Sequence, residues 1–348
     1  MISIDLDKLV ALHSNLYTSA TRSAFGEDGL EALQQLINGI VKIYRRIDPS
    51  LRAHELVLFA DVSNTQFMGL GSPRRVHSIV NLADELDGAC IACINADYSL
   101  DVYSFDATKL AELSQGAVVY YHHGKSEKIV IRSEDFRLIN PISGFGSIFC
   151  KPSFSSLATA LDSYRTKQAA HTSCEILKSA WNEPSRWFLK HKPERIMRKS
   201  LVQYLNNVLS DAEVRPEQNV DESHPVDVKV SFALTDQRAI IEIKWLGASV
   251  DDTGKMTTSY TQARAVDGAK QLAEYLDSSC EWGANVMTRG YLVVFDARRK
   301  GLTQGITTLS LDHALHFKDE NITYSPDYSL TRKDFEVPVR MYMFPKTA

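Results

Sequence analysis

The sequence predicts a mixed α/β protein built as two domains, and three observations carry that prediction. The chain has 348 residues, and domains commonly hold about 100–200. Apolar runs of strand length alternate with stretches of helical periodicity in both halves. Between the halves, Pro141 to Pro152 reads PISGFGSIFCKP, the Gly, Pro and Ser content of a linker. Residues 1–150 are therefore expected to form an N-terminal mixed α/β domain. Residues 151–348 are expected to form a second domain, led by a helical bridge. Hydrophobic residues make up 44% of the chain and charged residues 24%, the balance of a water-exposed globular protein with material for a core in each half.

In the first half, Ile4 to Ser19 has helical periodicity. Asp28 is placed to cap a second helix, Leu30 to Ile47, which stops before Pro49. Glu55 to Asp61 is a buried strand. Gly69-Leu70-Gly71-Ser72-Pro73-Arg74-Arg75 leads into a helix over about Val76 to Leu86. Gly-x-Gly followed by arginines at a helix start could hold an anion. The full phosphate-loop spacing is missing, so a plain turn is expected. Ala89 to Ile94 and Leu100 to Phe105 form a hairpin, as do Val118 to His122 and Lys128 to Ile131 around Gly124. Cys90 and Cys93 in a strand face opposite sides, and no second Cys pair completes a zinc site. His122 and His123 likewise face opposite sides.

In the second half, Phe154 to Trp181 is expected to be largely helical. Pro193 opens a further helix with an apolar stripe of Ile196, Leu201, Leu205 and Leu209. Gly247 to Thr261 is polar and reads as a mobile loop. Ala269 to Leu276 is helical. Gly290 to Asp296 is a continuous apolar run, a buried strand, and a few short strands are expected beyond Gly301.

The chemistry concentrates in His224 to Gly247, HPVDVKVSFALTDQRAIIEIKWLG. Two β-like runs, Val226 to Leu234 and Arg238 to Leu246, flank a short polar turn at Thr235-Asp236-Gln237. Glu242 and Lys244 share one face of the second run, and Ile243 takes the other. Folding the hairpin about Asp236 brings Asp227 roughly opposite Lys244. Two carboxylates and an ammonium then meet at what reads as a solvated edge of an apolar sheet. Carboxylate oxygens suit a hard cation such as Mg²⁺. A lysine beside it can orient a water and stabilise hydroxide.

These residues resemble the PD-(D/E)XK nuclease superfamily. Pro225-Val226-Asp227 stands for its P-D element with one residue inserted, and Glu242-Ile243-Lys244 is its (D/E)-x-K element. Gln271 and Tyr275, four apart on one helix face, look like the Q-x-x-x-Y element of some members, the RecB-like ones among them. The resemblance covers about residues 190–300. It implies a restriction-endonuclease-like three-layer α/β/α core around a mixed central sheet. It implies Mg²⁺, with Mn²⁺ as a substitute, held by Asp227, Glu242 and the Ile243 carbonyl. Lys244 would serve the attacking water, Gln271 would stand beside it, and a further acidic residue, Glu194 or Glu217, would complete the site. The implied activity is endonucleolytic cleavage of DNA leaving a 5′-phosphate, in a prokaryotic defence or restriction-type setting. A partner protein of such a system, or a second copy of the chain as a homodimer, would fit that setting.

The formal net charge of −4 counts against a protein that coats DNA wholesale. A nuclease needs only a local basic track. Six Lys or Arg against two Glu lie between Trp181 and Ser200, Lys199 among them, and Arg298-Arg299-Lys300 follow the late strand. Both stretches are candidate phosphate contacts, although a solvated basic surface explains them slightly better. No run of 18 or more apolar residues indicates a membrane span. The N-terminal stretch has early acids and no basic segment of a secretory signal. Five scattered cysteines fit a reducing cytoplasm. Two further classes remain open: a nuclease fold that only binds nucleic acid, and an effector whose first domain senses a ligand or partner.

Overall fold

The computed structural model describes residues 6–63, 70–77, 82–139, 146–151, 153–219, 225–279 and 286–346. The protein is mixed α+β, with two mixed sheets and helices packed on them. It divides into two compact units, Met1–Ser155 with Leu234–Asp236, and Ser156–Ala233 with Gln237–Ala348. Of the expected linker, residues 141–145 and Pro152 lie outside the described residues. Among the described residues, no helix is long and apolar enough to cross a membrane.

The first unit opens with α1 (Leu6–Tyr44), interrupted at Gly26, where φ is 68° and ψ −149°. The two helices expected from the sequence thus meet at a glycine break, not at a cap on Asp28. Next come β1 (Leu56–Asp61), β2 (Arg74–Val76), α2 (Leu82–Glu85), β3 (Cys90–Ile94) and β4 (Leu100–Ser104). After them follow α3 (Lys109–Gly116), β5 (Ala117–His123), β6 (Ser126–Ile131) and β7 (Glu134–Arg137). The sheet order is β2-β4-β3-β1-β5-β6-β7, with β1 and β3 parallel. The expected helix start at Val76 is corrected: Arg74–Val76 pairs with β4 as an edge strand, and among the described residues the helix runs over Leu82–Glu85. Arg75 donates to Ser99 Oγ at 3.0 Å, so the arginines anchor an edge strand in place of a helix start. Gly69 of the expected turn lies outside the described residues.

Strand alternation gives this sheet two apolar faces. Leu56, Leu58, Ala92 and Tyr120 join α1 in one core, and Val57, Phe59, Ile91 and Val119 join Leu113 of α3 in the other. Cys90 belongs to the first core and Cys93 lies against the second. A buried polar network sits inside. Glu127 accepts from Tyr120 Oη at 2.7 Å, Ser147 Oγ at 2.8 Å and the Ile148 N–H at 2.7 Å. Burial still pushes its carboxyl above the ordinary value, because three donors do not replace full hydration.

The second unit carries α4 (Phe154–Tyr164), continued by one π turn (Arg165–Ala169), then α5 (Glu175–Lys178). The stretch Phe154 to Trp181 is thus largely helical, as expected, in segments that break before Glu175. β8 (Leu189–Lys190), α6 (Glu194–Val208), β9 (Ala212–Asn219), β10 (Pro225–Phe232) and β11 (Gln237–Val250) come next. Then follow β12 (Met256–Tyr260), α7 (Ala263–Ser279), β13 (Met287–Asp296), α8 (Leu311–Leu315), α9 (Tyr328–Thr331) and β14 (Val339–Tyr342). The sheet runs β14-β13-β11-β10-β9, and β12 and β8 pair with the far end of β11. β11, β13 and β14 are parallel, while β10 runs against β11 and β9. The expected loop Gly247 to Thr261 is mostly strand, because β11 continues to Val250 and pairs with β12. Asp251 ties the short turn between them, accepting from the N–H groups of Thr253 and Lys255. Beyond Gly301, α8, α9 and the strand β14 stand, among the described residues, where a few short strands were expected.

Helices cover both faces of this sheet. Ile240, Leu246, Leu292 and Val294 pack with Ala269, Leu272 and Leu276 of α7. On the other face, Phe295 meets the ring of Tyr164, which packs on Tyr204 of α6 and bonds to Ser200 Oγ at 2.7 Å. α6 starts directly after Pro193, whose fixed φ suits a first turn, and it buries Met197, Leu201 and Leu205.

Candidate active site

Glu242 and Lys244 lie in the middle of β11, not at a solvated end. β13 pairs with β11 from Gln237 to Leu246, and α7 covers their face. Glu242 is 1% exposed and Lys244 3%. The strand continues six residues past Lys244 to Val250, which is why an apparent edge is interior.

The hairpin register also differs from the expected one. The turn is Ala233 to Asp236, and β10 pairs with β11 from Ser231↔Arg238 to Val228↔Ile241. One step further, Asp227 comes level with Glu242 instead of Lys244. Asp227 Oδ2 accepts the Ile243 N–H at 2.8 Å. Asp227 Oδ1 accepts from Arg198 Nη1 of α6 at 2.7 Å.

Lys244 Nζ donates to Glu242 Oε1 and, at 2.9 Å, to Gln271 Oε1 of α7. Gln271 Nε2 in turn donates to Tyr275 Oη, one helical turn on. Two glycines permit this packing. A Cβ on Gly268 would stand 2.5 Å from Lys244 Cγ and 3.1 Å from Leu292 Cδ1. Gly247 has φ +124°, and a Cβ there would stand 2.8 Å from the Ala297 carbonyl oxygen.

Electrostatically the site crowds three carboxylates against Lys244, Arg198 and Arg264. Glu242 has its carboxyl pushed up to about 8, first by burial and then by the charge of Asp227, with Lys244 opposing. Glu242 Oε2 is buried with no hydrogen-bond partner. Glu194, in the first turn of α6, is raised by burial and again by Asp227. Glu217 lies on β9, but its side chain is outside the described residues.

Asp227, Glu242, Lys244 and Gln271 therefore come together, with Glu194 close enough to act on Asp227. Arg198 was not expected in this role. Local spacing gave no signal for it, because its partner lies 29 positions further along the chain. The basic candidates separate into two kinds. Lys199 and Lys300 are exposed. Arg298 and Arg299 are corrected: both are buried, and their guanidiniums serve the fold. Arg298 grips Asp296 through Nε at 3.0 Å and Nη2 at 2.8 Å. Arg299 donates to the Arg298 carbonyl at 2.8 Å and the Met343 carbonyl at 2.6 Å.

Among the described residues, no three His, Cys, Asp or Glu side chains gather closely enough to hold a metal ion by themselves. Magnesium commonly takes only one or two carboxylates and completes its shell with water. The partnerless Glu242 Oε2 and the mutual repulsion of Glu242, Asp227 and Glu194 are what a divalent cation would relieve. The donor chemistry fits such an ion. Family models, curated proteins and solved structures, compared with this chain, return no match.

Proposed function

We propose that the second unit is a Mg²⁺-dependent nuclease of the PD-(D/E)XK type, with a restriction-endonuclease-like core, hydrolysing phosphodiester bonds in DNA. The observation that carries this reading is the cluster of buried Asp227, Glu242 and Lys244 with the half-buried Gln271, in which one carboxylate oxygen is left without a partner. Burying charge is costly unless it is paired or serves a ligand. A structural ion pair alone would not need the second carboxylate or the unpaired oxygen.

Asp227, Glu242 and the Ile243 carbonyl would hold Mg²⁺ or Mn²⁺, with Glu194 within reach of the same charge. Bound there, the ion would acidify a water and offset negative charge on the phosphate. Lys244 is held by Gln271 and Glu242, so its ammonium has a fixed place from which to orient a water or stabilise hydroxide. Tyr275 fixes the Gln271 amide. Burial excludes bulk water and strengthens each of these interactions. The named residues all fall in the second unit; the first would supply target choice, control or partner contact. A prokaryotic defence or restriction-type role, with a partner protein or as a homodimer, is an analogy from the resemblance.

The test is nicking of supercoiled plasmid, linear duplex and single-stranded DNA in Mg²⁺ and Mn²⁺, with EDTA as control. Cleavage should require the ion and disappear in Asp227→Asn. Activity that survives EDTA, or that Asp227→Asn leaves intact, would overturn the reading.

A further inference from the structure

Arg198 serves two places at once. Its Nη1 holds Asp227 Oδ1 at 2.7 Å. Its side chain also lines a cavity of about 590 Å³ against α6. Arg195 and Lys199, both exposed, supply two more cations to that wall, Gln203 adds an amide, and Ile176 and Val202 are apolar. No acidic side chain lines the cavity among the described residues. The groove is thus a largely apolar concavity with three cations on its wall, and one of them, Arg198, reaches into the carboxylate site.

Asp227 has little left to offer a cation while this contact lasts. Oδ2 takes the Ile243 N–H and Oδ1 takes the guanidinium. A divalent ion on Oδ1 would meet a fixed positive charge at hydrogen-bond distance, so the two cations compete for one oxygen. A guanidinium forms its best contacts with carboxylate or phosphate oxygens, often in pairs. A phosphate in the groove is therefore the natural competitor for Arg198.

We propose that the α6 groove binds the phosphates of a nucleic-acid backbone, and that Arg198 is a latch between that groove and Asp227. With the groove empty, Arg198 occupies Asp227 and weakens divalent-ion binding. A backbone phosphate beside Arg195 and Lys199 draws the guanidinium off and opens Oδ1. The anion and the metal ion then favour each other, each by the same factor. This inference rests on the nuclease reading for its metal site. It adds that the ion is taken up together with the nucleic acid instead of being held in advance.

Two equilibrium measurements on the full chain test it. Calorimetry with Mn²⁺ alone should show weak binding that Asp227→Asn abolishes. Arg198→Gln should tighten it by about tenfold, within the range of typical couplings. Arg195→Gln and Lys199→Gln remove the same charge without touching Asp227 and should change it by less than about twofold. Arg198→Lys, which keeps the charge but loses the planar fork, should tighten it too and stands in if Arg198→Gln does not fold. In the second measurement, anisotropy of a fluorescein-labelled short duplex is read with and without Ca²⁺. Salt normally weakens such binding, but here Ca²⁺ should strengthen it in the wild type and by a smaller factor in Arg198→Gln, which keeps only the direct attraction between ion and phosphate; an equal factor in both would refute the latch. Mn²⁺ affinity that Arg198→Gln leaves unchanged or lowers, with Asp227→Asn still abolishing it, would refute the latch and spare the metal site. Mn²⁺ binding that is absent, or indifferent to Asp227→Asn, would remove both.

Discussion

Lys244 Nζ stands 2.9 Å from Gln271 Oε1, which ties the middle of β11 to α7. The ammonium is only 3% exposed and has Glu242 as its other acceptor. A lysine at a solvated edge could be truncated at little cost. This one holds a buried charge pair and a helix contact together.

Lys244→Ala should accordingly destabilise the second unit, by about 3 kcal/mol, the usual cost of breaking a buried pair from one side. Protonation of Glu242, whose carboxyl already sits near 8, limits the penalty. The double change Lys244→Met with Glu242→Gln should recover most of the loss, since it leaves no unpaired charge. Urea unfolding of the two variants decides it. A change below about 0.5 kcal/mol in Lys244→Ala would mean that the residue behaves as a surface group.

Gln271→Ala leaves both carboxylates in place and removes one acceptor of Lys244. On the nuclease reading it should lower the cleavage rate by about 10–100-fold, the usual effect of losing a supporting hydrogen bond near a metal site. Tyr275→Phe should cost less, because Gln271 keeps its contact with Lys244. Initial nicking rates at saturating Mg²⁺ give the answer, and a Gln271→Ala enzyme as fast as wild type would exclude the residue from the site.

Gly268→Ala tests the packing beneath the ammonium. The added methyl would stand 2.5 Å from Lys244 Cγ, and the buried stem has Leu292 beside it. The expected cost is about 1–3 kcal/mol, as for other overpacked cores. The displaced ammonium should also reduce cleavage by more than the loss of folded protein accounts for. Thermal unfolding and nicking on the same preparation separate the two effects.

Glu127 predicts a pH effect in the first unit. Its carboxyl is raised from an ordinary 4.5 by burial, so the folded state keeps the proton to higher pH than the unfolded chain does. Its contribution is fully present below about 4.5 and is lost as pH rises through the folded value. Glu127→Gln should flatten that part of the stability profile. Unfolding midpoints between pH 4 and 8 test this, and identical slopes in wild type and variant would show that Glu127 does not titrate in this way.

Local pattern carried much of the fold. The strand at Leu56–Asp61, the hairpins of β3 with β4 and β5 with β6, and the β10–β11 hairpin are all legible as alternation or apolar runs. So was the shared face of Glu242 and Lys244. What was lost depended on long-range pairing. Nothing near Gly247 announces that β12 and β8 will extend β11, so Lys244 read as a strand end. The register of Asp227 hung on a turn that begins two residues earlier than its polar composition suggests. Arg298 and Arg299 read as surface charge because their partners, Asp296 and the Met343 carbonyl, meet them only in the folded sheet. The Arg198–Asp227 contact crosses 29 positions of sequence and leaves no periodic trace.

The glycines at 247 and 268 bear on how distant kin of this chain would be found. The three charged residues alone form a short pattern that many unrelated strands satisfy by chance. Gly247 needs a backbone conformation and a closeness to Ala297 that a side chain would spoil, and Gly268 leaves space for the lysine stem. The fuller signature is therefore E-x-K-x-x-G on the strand, then G-x-x-Q-x-x-x-Y on the helix that follows. A chain with the charges but with branched residues at both glycines would have to build this wall differently. A chain with the whole string would be a homologue worth testing for cleavage, however little else of its sequence agreed.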